Sequence, residues 1–268
     1  MRKPLIAGNW KMFKTVEEAT AFVVSFALKV APVRAVEVAL CPPFTALAAL
    51  SQALRGTSVA LGSQDCFWAD EGAFTGQTSP TMLKDLGCRY AIVGHSERRG
   101  RFGATEGMTP AMLSYFADND ETVNLKAKAA LKHGITPIIC CGELLAERQA
   151  KQTDAVVSAQ VSAALAGIPA TQIAGLVIAY EPVWAIGTGE VCDAAEANRV
   201  IGVIRSTVAQ VDAAAADSVR IQYGGSVKPD NITGIMEQPE IDGALVGGAS
   251  LDPDAFEAIV KGTAQTRA

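Results

Sequence analysis

Along the chain, short runs of consecutive apolar and β-branched residues alternate with longer stretches whose apolar positions recur every three or four residues. The short runs begin near Leu5, Val36, Val59, Tyr90, Thr136, Gly175, Val219 and Gly243. A run that is apolar throughout, rather than at alternate positions, predicts a strand buried on both faces, as in a parallel sheet covered by helices. Gly175-Leu-Val-Ile-Ala-Tyr180 shows the pattern well. The spacing leaves room in each unit for one strand, one helix and their loops, and no stretch reads as an antiparallel meander. Eight such units predict an α/β fold, a closed (β/α)8 barrel of eight parallel strands surrounded by helices, as a single domain over residues 1–268. An open doubly wound sheet is the alternative, but the Gly-x-Gly-x-x-Gly expected after its first strand is missing.

Helix boundaries are legible in several units. Thr15 before Val16-Glu17-Glu18 predicts an N-cap with acids in the first turn. Asp193 is placed to cap a helix over 194–209, and Asp252 or Asp254 to cap the last helix, whose Phe256, Ile259 and Val260 form one stripe. Pro32 and Pro169 fall in connections.

Composition narrows the picture. With 268 residues, 49% hydrophobic and 19% charged, the chain suits one large domain with a mostly aliphatic core. A net charge of −5 argues against general nucleic-acid binding. It leaves an anionic substrate open, since a few N–H dipoles and one lysine make a local positive site. The N-terminal apolar stretch is too short for a signal peptide, and no membrane span is expected. The six cysteines form no Cys-x-x-Cys, and Cys41, Cys140 and Cys141 fall in strand-like runs, so a reduced, cytoplasmic protein is expected. His95 and His133 share no metal-ligand spacing with the cysteines, which argues against a metal site.

In a parallel barrel the C-terminal strand ends share one rim. That rule gathers Asn9 and Lys11, His95 with Ser96 and Glu97, Glu181, Gly224-Gly225-Ser226, and Gly247-Gly248 on one face. Glu181 stands at a strand end, followed by Pro182-Val-Trp-Ala-Ile-Gly-Thr-Gly189. This stretch has a stiff start, an apolar middle and a Gly-rich finish, as suits a hinged flap that keeps a general base dry. An ordinary strand-to-helix turn with a capping acid is the plainer reading of the glutamate alone. Ser96-Glu97-Arg98-Arg99 reads as the start of a short helix, whose dipole disfavours an imidazolium at His95 and leaves a neutral ring able to donate to an oxyanion. Gly-rich turns after the last two strands stand where such barrels hold phosphate through backbone N–H groups.

These stretches carry a resemblance. Ala7-Gly-Asn-Trp-Lys-Met12, Val93-Gly-His-Ser-Glu-Arg-Arg99, Ala179-Tyr-Glu-Pro-Val-Trp-Ala-Ile-Gly-Thr-Gly189, Tyr223-Gly-Gly-Ser-Val227 and Leu245-Val-Gly-Gly-Ala-Ser-Leu251 occur in order along the whole chain. Together they resemble the triosephosphate isomerase family. The resemblance implies a TIM barrel that interconverts dihydroxyacetone phosphate and glyceraldehyde 3-phosphate without cofactor or metal, as a homodimer or sometimes a tetramer. It implies Glu181 as the base, His95 as the neutral electrophile and Lys11 as the cation that stabilises the enediolate and binds substrate. The neutral histidine at a helix start is the arrangement for which triosephosphate isomerase is itself the standard example. It further implies Asn9 as a substrate-binding residue that helps fix Lys11 and the substrate oxygens, Glu97 as an acid beside that lysine, Ser96 next to it, and Gly187, Ser226, Gly247 and Gly248 as the phosphate grip.

Three departures from the family pattern stand out. After Phe102-Gly103 the chain carries a longer segment, Ala104 to about Asp120, containing Met108, Pro110, Met112, Leu113, Tyr115 and Phe116. It either folds onto its own subunit or packs its apolar face at or beside a subunit interface. The loop Phe74-Thr75-Gly76-Gln77 resembles the one whose tip, at Thr75, reaches the neighbouring subunit, but Gln77 stands where the family commonly has a glutamate pairing with an arginine that matches Arg98. Lys228 replaces a frequent asparagine after the phosphate turn; it either adds a little local positive potential or, as is expected, points into solvent. Another phosphate-binding barrel enzyme, or a non-catalytic barrel, remains the alternative to an isomerase.

Overall fold

The computed structural model describes residues 2–103, 107–116 and 118–266. Eight strands are present: β1 (Leu5–Asn9), β2 (Glu37–Cys41), β3 (Val59–Ser63), β4 (Tyr90–Val93), β5 (Thr136–Cys141), β6 (Val177–Tyr180), β7 (Arg220–Tyr223) and β8 (Gly243–Val246). They pair in parallel and in chain order, and β1 pairs with β8 to close the barrel. Ile6 faces Val38 on one side and Ala244 on the other. The doubly wound alternative is thereby excluded, because an open sheet leaves two unpaired edges.

Three strands begin one or two residues later than the apolar runs predict. At β6 and β7 the amides of Leu176 and Val219 still bond to the preceding helical turns, at Ile173 and Ala215. Burial starts there before strand pairing does. The apolar runs have two clients. Leu5, Ala7, Ala39, Tyr90, Ile92, Ile138 and Val177 fill the barrel interior. Alternate residues such as Ile6, Val38, Leu61, Val93, Ile139 and Ile178 pack outward against the helices. Both faces are dry, so the strands carry no polar alternation.

The expected caps are in place. Thr15 closes a capping box with Glu18 at the head of the helix Val16–Val30. Asp193 accepts from Glu196 N at the head of Ala194–Val211. Of the two candidates for the last helix, Pro253–Gln265, Asp252 is the cap, and Asp254 instead pairs with Lys29. Among the described residues no helix is long and apolar enough to cross a membrane.

The inserted segment was expected from 104 to about 120; its residues 104–106 and 117 lie outside the described ones. Thr109 caps a single helical turn, Pro110–Leu113. Phe116 packs edge-on against Phe102, with ring centroids 5.2 Å apart, and Tyr115 packs edge-on against Phe116. Leu113 and Phe116 are half-buried, while Met112 and Tyr115 are 53% and 79% exposed. One side of the segment is therefore folded onto its own subunit, and the other side is left bare.

Candidate active site

The rim at the C-terminal strand ends is held by backbone geometry that begins with β1. Trp10 is fully buried, and its indole N–H donates to the carbonyl of Ser250 at 2.9 Å, pinning the chain where it leaves the strand. Lys11 then adopts a left-handed φ of 52°, uncommon for a side-chain-bearing residue. Two bonds hold it there. Its amide donates to Asn9 Oδ1 at 3.1 Å, and its carbonyl accepts from Gln64 Nε2 at 2.8 Å. The ammonium of Lys11 lies 2.6 Å from Glu97 Oε1.

After β4 the chain turns at once. The expected helix over 96–99 is instead a set of overlapping turns, in which Arg98 and Arg99 amides bond back to the carbonyl of His95. It stops because the Arg99 side chain folds back, its Nε donating to Gly94 O at 2.8 Å, and Gly100 takes a left-handed φ of 65°. The amide of Glu97 donates to His95 Nδ1 at 3.2 Å. That nitrogen is an acceptor, so the proton sits on Nε2 and the ring is neutral in this arrangement.

Glu181 follows β6 and is 1% exposed. One carboxylate oxygen accepts from Ser96 N at 2.9 Å. The other lies 2.9 Å from His95 Nε2 and 3.2 Å from Ser96 Oγ. Gly142, at the end of β5, allows this placement: a Cβ there would stand 1.7 Å from the carbonyl oxygen of Glu181.

Burial and pairing compete at this pair. Burial works against a charged imidazole, but the Glu181 carboxylate outweighs it, and the His95 pKa lies above its ordinary value. For Glu181, burial pushes upward, while His95 and the Ser96 amide pull down and prevail, so its pKa lies below the ordinary value. Charge on the ring is thus governed by burial and by Glu181 rather than by the helix dipole expected from the sequence. The neutral ring and the raised pKa are compatible: the ring takes a proton more readily than a free imidazole as pH falls, while Glu181 stays in contact.

The stretch after Glu181 divides into a fixed root and a bare tip. Val183–Ala185 forms a buried 3-10 turn. The Trp184 indole N–H donates to Glu143 Oε1 at 2.8 Å, the Tyr180 hydroxyl reaches the same oxygen at 3.1 Å, and the Arg148 guanidinium covers the Trp184 ring at 4.2 Å. Gly187 and Gly189 take left-handed φ values of 71° and 86°, and residues 187–190 are exposed.

These elements frame a cleft of about 380 Å³, lined by Lys11, His95, Gly187, Ser226, Gly247 and Gly248 among others. Glu181 is not on its wall; it lies behind, against His95 and Ser96. Lys228 is exposed at the outer edge of the same cleft. A second, adjoining groove of about 560 Å³ shares Asn9, Lys11 and His95, and runs away from the Gly-rich turns toward Trp68, Gln77 and Tyr115.

The floor of that groove settles how Arg98 is paired within the chain. Arg98 lies 2.8 Å from Asp65, and the buried Lys126 bridges Asp65 and Asp118 at 2.8 and 2.7 Å. The arginine's carboxylate thus comes from Asp65 of its own chain, although position 77 carries none. Gln64, Asp65 and Glu143 escaped the sequence reading. Gln64 and Asp65 directly follow β3, so the strand-end rule that found Lys11 would also have pointed to them.

All six cysteines are free and buried. Burial pushes the thiols of Cys66, Cys88 and Cys192 up to about 12, which leaves little thiolate. Among the described residues no group of three or more His, Cys, Asp or Glu is placed to hold a metal.

The chain is similar to known proteins over nearly its whole length. A sequence model of the family described as triosephosphate isomerase matches residues 4–263. A triosephosphate isomerase of Symbiobacterium thermophilum is 52% identical, with 100% of each chain covered. That of Moorella thermoacetica is also 52% identical, over 97% of this chain and 98% of its own. That of Trichlorobacter lovleyi is 50% identical, over 97% and 99%.

Proposed function

The chain belongs to the triosephosphate isomerase family, and from that premise we propose how its residues interconvert dihydroxyacetone phosphate and D-glyceraldehyde 3-phosphate. The observation that carries the reading is convergence. Lys11 and His95, from two distant strand ends, line one cleft whose far wall is the pair of Gly-rich turns, and Glu181, from a third, stands directly behind it, 2.9 Å from His95 Nε2.

The triose lies in the 380 Å³ cleft with its phosphate against Gly187, Ser226, Gly247 and Gly248. Backbone N–H groups there suit a dianion without spending arginines. The Glu181 side chain turns away from Ser96 toward the substrate. It removes the proton from the carbon beside the carbonyl and returns it to the neighbouring carbon. The electrons move onto the carbonyl oxygen, and the enediolate that forms is met by His95 Nε2–H and the Lys11 ammonium. His95 then passes a proton between the two oxygens. Asn9 and Glu97 hold Lys11 in place, and Ser96 parks Glu181 between turnovers. The stretch 182–189 closes over the phosphate and keeps water from the enediolate, which would otherwise lose phosphate by elimination. The reaction needs no cofactor.

Turning Glu181 changes the electrostatics of its partner. With the carboxylate withdrawn, burial is the main influence left on His95, and burial favours the neutral ring that the oxyanion requires.

The protein works in the cytoplasm, which suits six unpaired thiols. It works as a homodimer, with the tip at Thr75 of each subunit seated against the other. A tetramer would be a further pairing of such dimers.

An assay that couples glyceraldehyde 3-phosphate turnover to a dihydroxyacetone phosphate-consuming reaction tests the activity; absence of turnover by the purified dimer overturns it. Glu181→Asp tests the base. It withdraws the carboxylate by about one bond length, and a misplacement of that order costs about a hundredfold. Turnover equal to wild type would remove Glu181 from the role.

A further inference from the structure

The bare side of the inserted segment lies beside the 560 Å³ groove, and Tyr115 forms part of its wall. The ring is held there. It packs on Phe116, which packs on Phe102, and a Cβ at Gly100 would stand 3.1 Å from the carbonyl of Leu113. A large aromatic side chain is thus presented to solvent by an ordered support, at the mouth of a groove that reaches Lys11 and His95.

The same chain carries a protrusion of matching character. Residues 71–77 are all exposed, yet the loop is stiffened from within. The Phe74 ring lies 4.6 Å from Phe67, Phe67 stacks on Trp68 at 3.9 Å, and the Gln77 amide closes a turn on Phe74 O at 3.0 Å. A surface with both a knob and a hole is what an isologous two-fold interface requires.

Charge supports the match. The groove holds Lys11 paired with Glu97, and Arg98 and Lys126 paired with Asp65 and Asp118. Its cations are already answered. The segment Gly72-Ala-Phe-Thr-Gly-Gln77 carries no charge at all. A neutral knob fits a neutralised hole, whereas a carboxylate at the tip would meet anions that have already taken those cations.

We propose that Tyr115 of the inserted segment is an added wall of the seat for the 72–77 loop of a second copy of this chain, and anchors that loop from outside. The proposal rests on the homodimer reading above and deepens it. The insert then lengthens the interface at its solvent edge, over the groove that leads to the catalytic lysine and histidine.

Sedimentation across a dilution series measures the dissociation constant of wild type, Tyr115→Ser, Tyr115→Phe and Met112→Ser. Met112 is exposed on the same segment but does not line the groove. Tyr115→Ser is expected to raise the dissociation constant about tenfold or more, as for loss of an aromatic anchor. Tyr115→Phe keeps the ring and should stay within about twofold of wild type, as should Met112→Ser. A dimeric wild type whose dissociation Tyr115→Ser leaves unchanged overturns this proposal alone. Equal weakening by Met112→Ser also overturns it, because the segment would then act through its own folding. A wild type that is monomeric at every concentration overturns the homodimer reading and this proposal with it.

Discussion

Lys11 sits in a backbone conformation that lysine avoids. A left-handed φ costs a residue with a Cβ about 1 kcal/mol or more, and at 52° it is sustained by bonds from Asn9 and Gln64 rather than by anything lysine gains. Asparagine tolerates that region better. Lys11→Asn should therefore have a urea midpoint at or above that of wild type while turnover falls about a hundredfold, the usual price of losing one preorganised electrostatic group. The pair His95 and Glu181 gives a second outcome at this scale. The lowered Glu181 pKa adds stability above the ordinary carboxylate value of 4.5, lost as pH falls through the folded value. The raised His95 pKa adds stability below the ordinary histidine value of 6.5, lost as pH rises through the folded value. Both contributions are present together between about pH 4.5 and 6.5. The stability gap between wild type and His95→Gln should be widest in that window and narrow on either side. A gap that is flat across pH would deny the contact its role.

At the scale of elements, the flap root packs closely on Gly103, the residue just before the inserted segment. A Cβ on Gly103 would stand 2.5 Å from the carbonyl of Val183 and 2.7 Å from that of Ile186. Gly103→Ala must push the flap root outward. It should lower kcat/KM about tenfold or more, and the fluorescence change of Trp184 on binding a phosphate ligand should shrink with it. Unchanged kinetics would mean that the root yields without consequence. Elements also show what a sequence reveals of itself. Strands were legible because both faces are buried, and caps because Thr15, Asp193 and Asp252 act within their own turn. The turn Pro110–Leu113 also had a local signal, Thr109 followed by proline. The resting position of Glu181 had none: whether its carboxylate faces Ser96 or the cleft is a rotamer decided by groups 85 residues away. The pairing of Arg98 with Asp65 is equally a product of tertiary structure, as the chain after β3 and the turn after β4 meet only once those two strands pair.

For the whole molecule, closure is what gathers the site. Eight strands in unbroken order place every C-terminal end on one rim, and the family's stretches fall there because the topology leaves them nowhere else. The same closure hides all six sulfur atoms from water, Cys192 being the one adjacent to the flap. A coloured aromatic disulfide reagent should therefore leave the native protein almost untouched and label six sites in urea. Rapid labelling of several sites in buffer would contradict the burial. Between those limits the enzyme carries its own chemical clock. The first sulfur to be tagged under mild stress marks the segment that opens first, and the order in which the rest follow would chart how a closed cylinder comes apart.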